Sequence, residues 1–188
     1  MSDQDTKGKA LTVLGPIDPT ALGITITHEH LLIDLSVVFV DPIDEDGRRL
    51  AEEPVGIGNL GWIRVNWSSN RDNLVQRDVD LAAREAVRYR TANGGTLVDV
   101  TSVGIDRNPA ALREISLRAG IHVIMGAGYY VGPAHPEDFS SRSVGSITDE
   151  IVRDVKTGVG ETGIRSGIIG EIGCSWPWTD NEKKSVAA

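Results

Sequence analysis

The segment from Asp72 to Thr101 restricts the fold more than any other. DNLVQRDVDLAAREAVRYRTAN, Asp72 to Asn93, reads as an amphipathic helix: Leu74, Val75, Val79, Ala82, Ala86 and Tyr89 recur at helical spacing, charges fill the other face, and Gly94-Gly95 supplies the stop. TLVDVT, Thr96 to Thr101, follows at once and is apolar on both faces apart from Asp99. A strand buried on both faces belongs in a parallel sheet covered by helices. The same unit then repeats. Asn108-Pro109 caps and opens a second helix that runs to Gly120, and Ile121 to Tyr130 is the next strand. Ser146 to about Gly158 is a third helix with Ile147, Ile151 and Val155 on one stripe and Ser146 or Thr148 as candidate caps, and Ser166 to Ile172 is the last strand. Strand, loop and helix in repetition specify an α/β fold with right-handed crossovers, whose ligands bind at the carboxyl ends of the strands.

The first strand of the series lies upstream, in GITITHEHLL, Gly23 to Leu32. Ile24, Thr25, Ile26 and Thr27 are β-branched and fit a largely buried strand. Side chains alternate along a strand, so His28 and His30 share a face and Glu29 points away. Neutral imidazole is the commonest protein metal ligand, and two on one strand end supply half of a four-coordinate site. The alternative is a polar strand end whose histidines cap loop carbonyls. Glu171, near the carboxyl end of the last strand, is costly to bury unless a charged partner or a metal compensates it.

Other residues carry weaker signals. Ser36 to Asn70 holds Pro42, Pro54 and several glycines, and a loop of that length is functional or disordered, with Trp62 and Trp67 suited to a lid or substrate wall or to plain surface packing. His122 opens a strand, the end away from a site, and reads as structural. His135 lies in the loop after the third strand, where it either touches substrate or orders the loop. Asp99 reads as a buried carboxylate bonded to neighbouring strands, with a site role as the alternative. Gly158 to Gly163 matches G-x-G-x-x-G, but it follows a helix and precedes a strand, the reverse of a dinucleotide fingerprint. Cys174 reads as a small buried hydrophobe, with a cysteine hydrolase as a distant alternative.

Composition removes several classes. A formal charge of −8, a pI near 5.0 and no basic cluster longer than two residues exclude a nucleic-acid or anionic-membrane surface and leave small molecules as partners. One cysteine allows no intrachain disulfide, and the polar N-terminus with no membrane-length apolar run points to a cytoplasmic protein. Residues 1–9 read as a disordered tail before a short β-element at Ala10 to Leu14.

The segments TVLGPIDPTALGITITHEHLLIDLS, NLGWIRVNWSSNRDNL, GTLVDVTSVGIDRNP, GYYVGPAHP and TGIRSGIIGEIG resemble the phosphotriesterase family of the amidohydrolase superfamily, especially its phosphotriesterase-related branch. The resemblance implies a TIM (β/α)8 barrel with a two-metal site at its top, of which residues 10–188 would form the N-terminal half, about four parallel strands with intervening helices. It implies that His28 and His30 bind the more buried metal and that Glu171 takes the bridging position, where many members use a carbamylated lysine. The implied cofactor is Zn2+, as one or two divalent ions, with Mn2+, Fe2+ or Co2+ as substitutes. The implied reaction is hydrolysis of phosphotriester, lactone or carboxyl ester bonds by a metal-activated hydroxide, on a small-molecule ester substrate that Tyr129, His135 and Trp62 are candidates to line. The family's later histidines and its general-base aspartate have no counterpart here, so the expectation is a truncated, weakly active or inactive chain. The alternative is a non-catalytic fragment or subunit that binds metal or pairs with another chain. Thr179 to Glu182 forms a capping box for a final short helix, and exposed barrel edges would favour a homo-oligomer.

Overall fold

The computed structural model describes residues 6–188. Of the tail expected over residues 1–9, residues 1–5 lie outside the described residues, and Lys9 pairs with Asp18 at 3.4 Å. Strands β1 (Ala10–Thr12) and β2 (Gly15–Ile17) form an antiparallel ribbon, which the Val13 amide ties to the Val123 carbonyl at 2.9 Å. β3 (Ile24–Glu29) contains His28 and leaves His30 just beyond its end. The stretch after it is no bare loop. It holds β4 (Ile33–Asp34), α1 (Glu45–Glu52), α2 (Leu60–Val65) and β5 (Val75–Gln76), with β4 and β5 paired antiparallel. The Asp44 carboxylate starts α1 by accepting from the Gly47 amide at 2.7 Å.

The helix expected over 72–93 is divided for the same kind of reason. The Asp78 carboxylate accepts from the Leu81 amide at 2.9 Å, so α3 spans Val79–Thr91 and the residues before it form a turn and β5. β6 (Gly94–Asp99) takes Gly94-Gly95 into the strand rather than leaving them as a stop. α4 (Pro109–Ala119) begins at Asn108 and ends at a left-handed Gly120, as the sequence predicts. β7 (His122–Ala127) is followed by α5 (Val144–Lys156), which is capped by Ser143 rather than by Ser146 or Thr148. β8 (Ile168–Ile169) is shorter than the strand expected over 166–172, because Gly170 has φ +143° and turns the chain out of the ladder. α6 (Asp180–Ala187) carries both halves of the capping box.

The main sheet has the order β3-β6-β7-β8, all parallel. Leu97, Val123 and Met125 join Ala82, Ala86, Leu112 and Ile115 of α3 and α4 in one buried cluster. Full burial of a Leu, Val, Ile or Met side chain contributes about 1.5–3 kcal/mol, and this layer holds the sheet. A second cluster packs Ala127, Tyr129 and Phe139 against Ile147 and Ile151 of α5. One expectation is corrected: β3 is not largely buried. It has a single neighbour in the sheet, so Ile24 is 61% exposed and Ile26 38%. Cys174 is likewise exposed, not a buried hydrophobe. Among the described residues, no helix is long and apolar enough to cross a membrane.

Candidate metal centre

His28 and His30 leave one outer strand of the sheet, and Glu171 follows the other outer strand. In a flat sheet those strands would lie about 14 Å apart, three spacings of about 4.8 Å. Instead the Glu171 carboxylate approaches His28 Nε2 at 3.4 Å and His30 Nε2 at 3.6 Å. The sheet is therefore curled, and its carboxyl ends face a common point.

Backbone contacts fix Glu171 there. The Gly170 amide donates to the Ala127 carbonyl at 2.7 Å, the Glu171 amide to the Val100 carbonyl at 3.3 Å, and the Gly173 amide to the Tyr129 carbonyl at 3.0 Å. A side chain at Gly126 would collide with the Gly170 carbonyl, so the close approach of β7 to this segment needs glycine. On the other outer strand, the His30 amide donates to Glu29 Oε1 at 2.9 Å, and His30 Nδ1 lies 3.0 Å from Thr101 Oγ1. The Thr101 hydroxyl donates to the Leu32 carbonyl at 3.1 Å.

The three groups suit a cation. One donor atom each from His28, His30 and Glu171 lies within 4.8 Å of the others, a spacing that one ion at ordinary ligand distances of about 2.0–2.2 Å could bridge after small side-chain movements. Burial lowers the basicity of His30, helped by the charge of His28 and opposed by Glu29, so the ring stays neutral and keeps a lone pair. Burial raises the Glu171 carboxyl against the pull of His28, the shift of a carboxylate short of positive charge. The residues fit a divalent ion by donor type and by charge.

The other candidate residues stand elsewhere. Tyr129 is buried, with its hydroxyl accepting from Arg142 at 2.8 Å, and burial, then Glu150, push the phenol up to about 12. His135 packs its ring on Phe139 and bonds the Tyr130 carbonyl through Nε2 at 2.7 Å, the loop-ordering arrangement. Trp62 lines a separate cavity of about 270 Å³ with Pro42, Ile43 and Asn66. Asp99 is fully buried and accepts from the Leu31 amide at 2.8 Å and the Thr101 amide at 3.1 Å; burial lifts it to about 6. Two residues near the site escaped the sequence reading. Thr101 closes the TLVDVT segment just past the end of β6 and carries no distinctive signal, and Tyr130, whose phenol is raised by burial and by Glu171, is the neighbour of the expected Tyr129. Period-two alternation separates Tyr129 from Tyr130, but nothing in GYY says which one faces the site.

A curled parallel sheet with His28, His30 and Glu171 gathered at its carboxyl ends has the architecture of half a (β/α) barrel. Comparison with known proteins agrees: the family profile described as "Phosphotriesterase family" matches residues 8–188, and the chain belongs to that family. Two curated relatives are named N-acetyltaurine hydrolase. The one from Salmo salar is 43% identical over 96% of this chain and 52% of its own length, and the one from Homo sapiens is 39% identical over the same shares. The chain spans about half the length of the curated relatives it matches. Among solved structures, a resiniferatoxin-binding protein from Rhodobacter sphaeroides superposes with TM-score 0.93 at 40% identity, covering 95% of this chain and 50% of that one. A phosphotriesterase homology protein from Escherichia coli, complexed with phosphate in its active site, gives TM-score 0.66 at 26% identity over 89% and 48%.

Proposed function

We propose that this chain supplies a metal-holding half of a hydrolase that cleaves the acyl bond of a small carboxamide. The observation that carries this reading is the convergence of His28, His30 and Glu171 from opposite edges of one sheet. A divalent ion there, zinc first and Mn2+, Fe2+ or Co2+ as substitutes, would acidify water and polarise the scissile carbonyl. His30 presents a neutral nitrogen from the less exposed side of the site, while His28, 60% exposed, stands on the side open to solvent and substrate. Glu171 would supply one negative charge against the ion's two, and the remaining positive charge is what would favour hydroxide over water there. Relatives named for hydrolysis of an N-acyl amide, alike over nearly all of this chain, favour an amide such as N-acetyltaurine as the first substrate to test. The ester and lactone cleavage expected from the sequence requires the same attack on a carbonyl and becomes the second.

The test is acetate release from N-acetyltaurine by the chain with and without added Zn2+. The expected result is slow, zinc-dependent release that disappears in Glu171→Gln. Release that is indifferent to zinc and to Glu171→Gln would overturn the reading. Zinc binding without turnover would instead favour a subunit that pairs with another chain.

A further inference from the structure

We infer that Thr101 is a positioning residue that fixes the tautomer of His30, and so decides which of its ring nitrogens is offered to a cation. The inference rests on the metal-binding reading above and adds a residue that no cation touches. Its logic is one of hydrogen-bond direction. The Leu32 carbonyl can only accept, so the Thr101 hydroxyl spends its single proton there, at 3.1 Å. The oxygen is left with lone pairs alone. His30 Nδ1, 3.0 Å from that oxygen, must then be the donor and carry the ring proton. A neutral imidazole has one N–H, so Nε2 is bare, and Nε2 is the atom that faces Glu171 at 3.6 Å. Thr101 is buried, and the second acceptor within reach of its hydroxyl, the Asp99 carboxylate that also holds its amide, likewise takes the proton away from His30.

The molecule contains its own contrast. His135 bonds a backbone carbonyl, that of Tyr130, directly through Nε2 at 2.7 Å, and its buried Nδ1 has no partner. Nε2 of His135 must therefore carry the proton. The two rings are held as opposite tautomers by two different acceptors, and only the His30 arrangement frees the nitrogen that points at a carboxylate. Without the threonine hydroxyl, neutral imidazole's ordinary choice of proton position would return, and a fraction of His30 would present N–H where a lone pair is needed.

The experiment is long-range 15N–1H correlation of the histidine rings in the metal-free chain at about pH 8, where imidazole is neutral, followed by zinc titration. The unmodified chain should show His30 as the Nδ1–H form and His135 as the Nε2–H form. In Thr101→Val the His30 pattern should become mixed, His135 should be unchanged, and zinc affinity should fall by about tenfold to a hundredfold. Thr101→Ser should restore both readouts. The inference is overturned if His30 of the unmodified chain is the Nε2–H form, or if Thr101→Val leaves its pattern and zinc affinity as they were. The tautomer is read without metal, so its failure is distinct from a failure of the hydrolase reading, which zinc titration of the unmodified chain reports.

Discussion

On the helix-covered side of the sheet, Leu97, Val123 and Met125 are packed by side chains of α3 and α4, whereas Ile24 and Ile26 of β3 and Ile168 and Ile169 of β8 meet solvent. The first region is made by neighbours in sequence, each strand returning beneath the helix that follows it. The second consists of the two outer strands, and these are the ones that deliver His28, His30 and Glu171. The buried packing and the candidate site thus occupy different parts of one sheet. The helices cover the centre, and the curl of the sheet brings His28, His30 and Glu171 of its edges together.

The largest expected effect breaks the covered region. Ile115→Ala, at a fully buried position, should cost about 2–5 kcal/mol in denaturant unfolding, while Ile169→Ala on the exposed edge should stay within about 0.5 kcal/mol. Equal losses at the two positions would erase the distinction between the regions.

A second effect concerns the loops at the carboxyl ends. Glu182 is fully buried, yet its carboxylate accepts from Gly132 N at 2.9 Å, Ser175 N at 3.1 Å, Ser175 Oγ at 2.8 Å and Thr179 N at 2.8 Å. Burial alone would raise the acid, but these donors outweigh it and hold it at about 2 against an ordinary 4.5. The native state therefore binds the proton less readily than the unfolded chain. The stability Glu182 contributes is complete above 4.5 and lost as pH falls toward about 2. Glu182→Ala should cost on the order of 3 kcal/mol at neutral pH and flatten that acid limb, measured as the denaturant midpoint against pH.

Asp99 supplies a smaller effect of opposite sign. Lifted to about 6 from 3.8, it binds its proton more tightly in the folded state, so its contribution is greatest below 3.8 and declines as pH rises through about 6. Asp99→Asn should remove this decline between pH 3.8 and 6 from the same midpoint curve. The smallest change in metal-free stability is expected for His28→Ala, whose ring is mostly exposed, although zinc should no longer raise the melting temperature of that variant.

Much of the alternation was legible because it depends on local chemistry. Asn108-Pro109, Gly120 and the Thr179 to Glu182 box mark their helices unaided. The helices between residues 36 and 70 were hidden by their prolines and glycines, although Asp44 caps one of them. β3 is more exposed than its composition suggests, because β-branched residues report fit to a pleated surface, not how many neighbours a strand will have. His28, His30 and Glu171 were legible from their strand ends together with the family resemblance. Thr101 was not, because its role depends on where one hydroxyl proton goes, and that is set by a carbonyl 69 residues away in sequence.

The most direct measurement is zinc K-edge X-ray absorption on the zinc-loaded chain, beside the His28→Ala, His30→Ala double variant and Glu171→Gln. The expected spectrum shows imidazole scattering from two rings with oxygen at about 2.0–2.2 Å, the imidazole signal lost in the double variant and the ligand shell altered in Glu171→Gln. A zinc shell without imidazole, or one identical in all three proteins, would contradict a shared coordination point.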